Sequence, residues 1–465
     1  MPQALTLQYT IEERTLPNGL RVVVNPDPSS PAVAVNLWYH VGSADEVAGR
    51  SGFAHLFEHL MFQGSARVAS GEHLSALQAV GGHVNATTSF DRTNYFETVP
   101  PGAVDLALWL EADRLASLDV SQQNLDNQRE VVKEEKRQRY DNVPYGDQLH
   151  LLLALNFPTD HPYGHTTIGA MEDLDAASLD EVRDFFATWY RASNAVLTLA
   201  GAIERETAFT LAEKYFGELP ALPAPERHAA DRLPPHEGLP RLEVVRDVPR
   251  PALHLGWRTP SIDHHDHLAV EQALAILAGG PSSRLHKVMV RETGTTEGVG
   301  GSQFDLAQGT SLALVSARTR QGHSLDELET QIVDQIQQMA DEGVSAEELD
   351  RANASYEREW LGELAQIDSR ADQLGAFATL YGDASQLNEH LRLMLDVTPE
   401  DVQAAVRTWL APEARSILYY NTQTPEPDTE TPTIETPTIE TPTIETPTIE
   451  TPTIETPTIE SKEQA

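Results

Sequence analysis

The segment Ser51-Gly52-Phe53-Ala54-His55-Leu56-Phe57-Glu58-His59-Leu60-Met61-Phe62-Gln63-Gly64 organises the rest of the chain. Its apolar residues recur at intervals of three and four, the pattern of a helix with one buried face. These residues are Phe53, Leu56, Phe57, Leu60 and Met61. Gly52 and Gly64 flank the pattern, so we expect a helix of about three turns.

Two histidines stand one turn apart on this predicted helix. His55 and His59 project from the same side, and Glu58 overhangs the same edge. The spacing H-x-x-E-H is the inverted form of the zincin signature, in which two imidazoles hold Zn²⁺ and the carboxylate acts on water. The alternative is an amphipathic helix whose histidines make ordinary hydrogen bonds. A catalytic zinc ion needs a third protein ligand, which the rest of the chain must supply.

A second predicted helix, over residues 121–139, offers a candidate for that ligand. Helical periodicity puts Glu135 on one face with Gln128, Val131 and Val132, and turns Glu134 towards another face. We therefore expect Glu135 to point into the protein, where an unpaired carboxylate is costly. Two partners could neutralise the Glu135 carboxylate: a buried Arg or Lys side chain, or a metal ion shared with the two histidines.

The residues from His83 to Val99 are rich in β-forming side chains and end at two prolines. They predict a strand pair. It is either an internal hairpin or an exposed edge to which an extended peptide could add as a further strand.

Composition narrows the possible functions. The chain of 465 residues has no cysteine, so a disulfide, an iron–sulfur cluster and a thiolate zinc site are all excluded. A net charge of −38 argues against nucleic acid or an anionic membrane as partner. The sequence has neither a signal-peptide pattern nor an apolar run of transmembrane length, so we expect a cytoplasmic protein.

The chain divides into four parts. We predict a first domain over residues 1–218, a proline-rich linker over 219–240, a second domain over 241–421 and a tail over 422–465. The second domain opens with a strand and a helix like those of the first, which indicates an internal duplication without the metal motif. The tail repeats Thr-Pro-Thr-Ile-Glu, which cannot build a core and predicts a disordered acidic segment.

Taken in order, these blocks resemble the M16 peptidases, the pitrilysin and insulinase family, and most closely their processing-peptidase-like branch. The resemblance spans roughly residues 10–420 and rests on several short blocks. They are Val41-Gly42-Ser43, Gly52 to Gly64, Gly81 to Thr88, Arg129 to Glu135, His161-Pro162-Tyr163-Gly164, Tyr190, Asn194-Ala195 and Gly280 to Leu285. It implies an α+β fold of two duplicated domains, each a mixed, mainly antiparallel sheet with helices packed on it. Together they would form half of a clamshell.

The resemblance also implies a site. It assigns zinc to His55, His59 and Glu135, because the family's third ligand follows the second histidine at the spacing found here. Glu58 would be the general base of a zinc-dependent endopeptidase that hydrolyses peptides or unfolded segments inside a dimeric chamber.

Substrate binding by the family implies further residues. Asn85, Ala86 and Thr87 would lie on the strand that aligns the peptide, and Arg291 could be the arginine that grips substrate beside the zinc. The tyrosine expected six or seven residues later is replaced by Glu297 or Gly298. A second M16-like subunit could therefore supply the Arg/Tyr pair. The alternative function is a metal-containing, non-hydrolytic assembly subunit of an M16 heterodimer.

Overall fold

Two mixed β-sheets form the framework of the protein in the computed structural model, which describes residues 7–227 and 230–423. The strands of the first sheet are β1 (Glu12–Thr15), β2 (Arg21–Pro26), β3 (Val33–Tyr39), β4 (His83–Thr88), β5 (Thr93–Val99) and β6 (Ala195–Gly201). Their spatial order is β1-β2-β6-β3-β5-β4, and only β2 and β6 run parallel. Strand β4 is therefore one edge of the sheet.

The second sheet repeats this arrangement with one strand fewer. Its strands are β7 (Arg241–Arg246), β8 (Ala252–Pro260), β9 (Thr296–Phe304), β10 (Thr310–Thr319) and β11 (Ser416–Thr422). Their order is β7-β11-β8-β10-β9, and β7 with β11 is the parallel pair. Each strand matches its counterpart in the order β2-β6-β3-β5-β4. The predicted α+β fold of two duplicated, mainly antiparallel sheets is confirmed.

Helices cover both sheets. The first half contains α1 (Phe53–Leu60), α2 (Glu72–Ala79), α3 (Val104–Ser117), α4 (Gln122–Lys136), α5 (Gln148–Asn156), α6 (Met171–Ala176), α7 (Leu179–Trp189) and α8 (Arg205–Phe216). The second half contains α9 (His267–Ala278), α10 (Leu325–Glu342), α11 (Ala346–Ala365), α12 (Ile367–Leu380), α13 (Leu387–Leu395) and α14 (Pro399–Trp409). None of these helices is long and apolar enough to cross a membrane.

Helix α1 buries the whole apolar stripe that the sequence predicts for it. Phe57 stacks on Phe185 of α7, with ring centroids 5.0 Å apart, and so fixes the helix on the core of the first half. The helix begins after Gly52, whose φ of 91° is left-handed. A Cβ on Gly52 would come within 2.8 Å of the Ile168 carbonyl oxygen, so glycine is required there for two reasons.

Helix α12 of the second half packs on the other face of the first sheet, against β3 and β6. Gly375 lies directly on the indole of Trp38, and Asp372 Oδ1 accepts hydrogen bonds from Asn36, Trp38 and Asn94. These contacts join the two halves. Between α8 and β7 the described residues contain no helix or strand. The predicted repeat tail lies outside the described residues.

Candidate metal centre

The two histidines of α1 meet the last turn of α4. Glu135 Oε2 lies 3.3 Å from His59 Nε2 and 3.7 Å from His55 Nε2. One donor atom from each side chain lies within 4.8 Å of the other two. Nitrogen and oxygen ligands placed about 2.0–2.2 Å from a zinc ion are about 3.3–3.5 Å apart at tetrahedral angles. The donor set and its spacing therefore fit one zinc ion.

The environment favours the protonation states that a metal needs. Burial, and then the neighbouring His59, lowers the pKa of His55 to about 4, so this imidazole is neutral near pH 7. A hydrogen bond from His59 lowers the pKa of the Glu135 carboxyl, which is therefore ionised. Neutral imidazoles and an ionised carboxylate are the forms that coordinate zinc.

Helical periodicity predicted the direction of Glu135 correctly but not every neighbour on its face. Val132 is fully buried and Gln128 is 9% exposed, whereas Val131 is 46% exposed. Expecting Val131 to be buried was wrong, because the contact that α4 makes with α1 is narrower than the face that was predicted. Glu134 points to solvent, where it binds Arg137 and Gln138.

Glu135 also has a cationic partner. Arg139 Nη1 lies 2.7 Å from its second carboxylate oxygen, Oε1. The side chain of Arg139 is 71% exposed, so this contact is not the buried ion pair that the sequence left as an alternative. Glu135 thus keeps Oε2 facing the two imidazoles while Arg139 holds Oε1.

Glu58 lies beside the three candidate ligands. Thr88, the last residue of β4, donates a hydrogen bond from Oγ1 to Glu58 Oε2 at 2.6 Å. Burial raises the pKa of the Glu58 carboxyl, and the bond from Thr88 opposes that shift. Among the described residues, no donor is bound to the other oxygen, Oε1. One oxygen of Glu58 is fixed and the other is available.

A cavity of about 430 Å³ connects these groups to the free edge of β4. Its lining comprises His55, Glu58, His59, Asn85, Ala86, Thr87, Thr88, Glu135, Arg139, Tyr140, Thr167 and Ile168. The three predicted substrate-binding residues of β4 are therefore beside the candidate metal ligands. Arg291 is not part of this lining; it lies in the second half, where its Nη2 donates to the Pro281 carbonyl oxygen at 2.9 Å.

Helix α1 is oriented by a carboxylate that the sequence analysis did not identify. The side chain of Glu46 is fully buried, and its two oxygens accept hydrogen bonds from the N–H groups of Gly52 (2.9 Å) and Ala54 (2.8 Å). His165 Nε2 lies 2.9 Å from Glu46 Oε2. A carboxylate on free N–H groups at a helix start is stabilising and fixes the helix. Glu46 lies on a loop without periodicity, so only its charge in an apolar context could have indicated this role.

A second His and Glu cluster has a different character. His73, Glu97 and Glu111 lie close together in the core of the first half. Arg114, also buried, pairs with Glu111 and contacts Glu97 at 3.8 Å. The Arg114 guanidinium already balances the charge of these carboxylates, so the cluster is a buried ion network.

Comparison with known proteins agrees with this architecture. Residues 21–169 match the family described as Insulinase (Peptidase family M16), and residues 176–356 match the Peptidase M16 inactive domain. The zinc protease PqqE of Helicobacter pylori is 29% identical over 400 residues, which cover 84% of this chain and 88% of the relative. An uncharacterized zinc protease of Mycobacterium bovis is 30% identical over 401 residues, covering 85% of this chain and 90% of the relative.

Solved structures show the same fold. The crystal structure of a protease from Helicobacter pylori superposes with a TM-score of 0.83 at 27% identity, over 89% of this chain and 99% of that one. The periplasmic protease PqqL from Escherichia coli superposes with a TM-score of 0.72 at 17% identity, over 90% of this chain but 48% of that one. This chain therefore has the fold of half of PqqL.

The duplicated sheets define the M16 type of architecture, and the inverted zincin motif of the first half supplies a candidate zinc site. The chain belongs to peptidase family M16, the insulinase family.

Proposed function

We propose that this chain is a zinc-dependent endopeptidase. The observation that carries the proposal is the meeting of His55, His59 and Glu135 beside Glu58, in a cavity that reaches a free sheet edge. Relatives that align over most of the chain are named zinc proteases, which supports the same conclusion.

The residues at the site have two different roles, metal binding and proton transfer. His55, His59 and Glu135 hold the zinc ion, which when bound supplies the Lewis acidity that polarises a peptide carbonyl and acidifies water. Glu58 accepts a proton from the attacking water and later gives it to the nitrogen of the leaving amine. Thr88 occupies Oε2 of Glu58, so Oε1 is the atom that carries the proton.

Substrate binds in an extended conformation. Among the residues that the structure describes, strand β4 pairs with β5 alone. Its other edge carries backbone N–H and C=O groups that a peptide can pair with as an added strand. Asn85, Ala86 and Thr87 line the cavity on this strand, so a peptide bound there passes beside Glu58. The sequence leaves two alternatives for residues 83–99, an internal hairpin or an exposed edge. The position of β4 at the end of the sheet order supports the exposed edge.

The chain also works with a second M16-type chain, either a copy of itself or a relative. PqqL supports this inference, because this chain superposes on only half of that protein. A second half would enclose the cavity and limit substrates to peptides and unfolded segments.

Two substitutions test the proposal directly. Glu58→Gln keeps the shape of the side chain but removes the base, so zinc content should stay at one ion per chain while hydrolysis of a quenched fluorescent peptide is abolished. His55→Ala should lose both zinc and hydrolysis. Substantial peptidase activity in the Glu58→Gln protein would contradict the assigned role.

A second candidate function is a zinc-containing subunit that does not hydrolyse peptides. It is favoured by the position of Arg291 outside the cavity and by Glu297 and Gly298 on β9, where the resemblance leads one to expect tyrosine. A wild-type protein that binds one zinc ion but cleaves no peptide, alone or with a second M16 chain, would establish this alternative.

A further inference from the structure

Arginine and tyrosine side chains do reach the candidate metal site, but from the first half of the chain. Helix α4 continues beyond Lys136 as a π-helical segment, Arg137–Asp141. Arg139 and Tyr140 on this segment line the same cavity as Glu58 and Glu135. Single π-turns in α-helices are frequently found at functional sites.

The contacts of Arg139 and Tyr140 leave donors free for a ligand. Arg139 uses Nη1 to hold Glu135, and its remaining N–H groups have no partner among the residues that the structure describes. The ring of Tyr140 is half-buried and packs against the core of the first half. Its hydroxyl has no hydrogen-bond partner within the same described ranges. The two side chains thus have fixed bases and available polar ends.

The segment that follows holds Tyr140 in place. Gly146 returns over the backbone of Tyr140, where a Cβ would lie 1.8 Å from the Tyr140 carbonyl oxygen. Tyr145 has a φ of 62°, which is unusual for a residue with a side chain. Its hydroxyl donates to the Arg250 carbonyl oxygen at 2.6 Å, and Arg318 covers its ring. The second half therefore anchors the strained Tyr145, five residues after Tyr140, and so holds the segment that follows Arg139 and Tyr140.

We propose that Arg139 and Tyr140 grip the peptide substrate beside the metal centre. The Tyr140 hydroxyl donates a hydrogen bond to the carbonyl oxygen of the scissile bond, and Arg139 binds carbonyl oxygens of the same peptide through the N–H groups that Glu135 leaves free. This inference rests on the proposed peptidase function. Each chain then supplies both the arginine and the tyrosine that bind its substrate. A partner need not supply an Arg/Tyr pair, and Arg291 is not required.

Two substitutions with matched controls test the inference in the purified full-length chain, loaded with zinc and without any other protein. Tyr140→Phe removes only the hydroxyl, and Arg139→Gln removes the charge. Tyr215→Phe, whose hydroxyl binds Asp105, and Arg137→Gln, which binds Glu134 on the exposed side of α4, are the controls. The measurements are kcat and KM on a quenched peptide, zinc affinity by chelator competition, and binding of a fluorescein-labelled peptide to the same variants in a Glu58→Gln background.

Tyr140→Phe should lower kcat by about 100-fold, the usual cost of removing one donor to a developing oxyanion, with a smaller change in KM. Arg139→Gln should weaken binding of the labelled peptide by about tenfold, which is the loss of roughly one charge-assisted hydrogen bond. Tyr140→Phe should leave zinc affinity within about twofold of wild type, and both controls should match wild type in every measurement. A lower kcat with unchanged zinc affinity indicates a lost contact with substrate, whereas a structural defect at the site would lower both.

The outcomes separate this inference from the proposed function. If the Tyr140→Phe and Arg139→Gln proteins both keep the turnover and the peptide binding of wild type, the inference alone is overturned. A wild-type protein that binds zinc and peptide without hydrolysis would overturn the proposed function alone. Weaker peptide binding by the Arg139→Gln protein would then still support the grip. Absence of peptide binding by wild type would overturn both.

Discussion

Glu135 Oε2 lies 3.3 Å from His59 Nε2, and the neighbouring glutamate, Glu134, points away to solvent. Adjacent positions on α4 therefore provide a matched pair of substitutions. Glu135→Gln should reduce zinc affinity by more than the ~10–100-fold that loss of an outer-shell partner typically costs, because a direct ligand is lost. Glu134→Gln should bind zinc as wild type does. Chelator competition measures both, and equal zinc affinity in the two variants would remove Glu135 from the metal site.

Thr88 fixes the candidate base. Its hydroxyl is 2.6 Å from Glu58 Oε2, so Thr88→Val keeps the shape of the side chain and removes this bond. The freed carboxylate loses its orientation, and we expect kcat to fall by about tenfold, since one hydrogen bond to a charged group is lost. Zinc content should not change, because the Thr88 hydroxyl is bound to Glu58, which is not one of the three ligands. A kcat equal to that of wild type would mean that α1 alone positions Glu58.

Glu46 should matter to the metal although it lies outside the cavity. Glu46→Gln removes the negative charge from the start of α1, which we expect to cost about 1–2 kcal/mol of unfolding free energy. Because α1 carries both histidines, zinc affinity should also fall by about tenfold. The control is Glu72→Gln: Glu72 accepts from the Ala69 N–H at the exposed start of α2, so that variant should lose stability but not zinc affinity.

Glu135 could be predicted from the sequence, whereas Glu46 could not. Helical periodicity identified α1 and placed Glu135, because both depend on residues a few positions apart. Glu46 and Tyr140 were not found, since the first lies on a loop and the second on a π-turn, and neither position has a period to follow. The contact of Gly375 with Trp38 joins distant parts of the chain, and a single sequence carries no signal for it.

Gly375 allows the contact between the halves to be tested. A Cβ there would lie 2.7 Å from the indole of Trp38, so Gly375→Ala should destabilise the protein by about 1–3 kcal/mol through overpacking. Gly362 on α11 is the control, because nothing in the described structure other than the adjacent backbone of α11 comes within 4 Å of its Cβ position. Gly362→Ala should instead stabilise by up to about 1 kcal/mol, through helix propensity alone. Urea unfolding measures both, and a gain of stability in both variants would show that α12 can shift away from the sheet.

His254 should make the protein sensitive to acid. Its imidazole is 4% exposed on β8, where Nδ1 lies 2.8 Å from Ser316 Oγ and Nε2 has no partner among the described residues. Burial, and then the charge of Arg318, lowers the pKa of His254 to about 4. The unfolded chain takes up this proton near pH 6.5, so unfolding binds a proton between about pH 6.5 and 4, and stability falls as the pH is lowered through that window.

This window gives a measurable difference between wild type and a variant without the imidazole. At pH 5 His254 should account for about 2 kcal/mol of the stability that wild type loses relative to pH 7, and His254→Leu should not lose that part. Urea unfolding of chelator-treated protein at pH 7 and pH 5 checks this, since metal release then contributes nothing. Other buried histidines, such as His390, have lowered pKa values as well, so the variant keeps a shallower dependence on pH. If wild type and the His254→Leu protein lose the same unfolding free energy between pH 7 and pH 5, His254 binds its proton as readily in the folded state as in the unfolded chain.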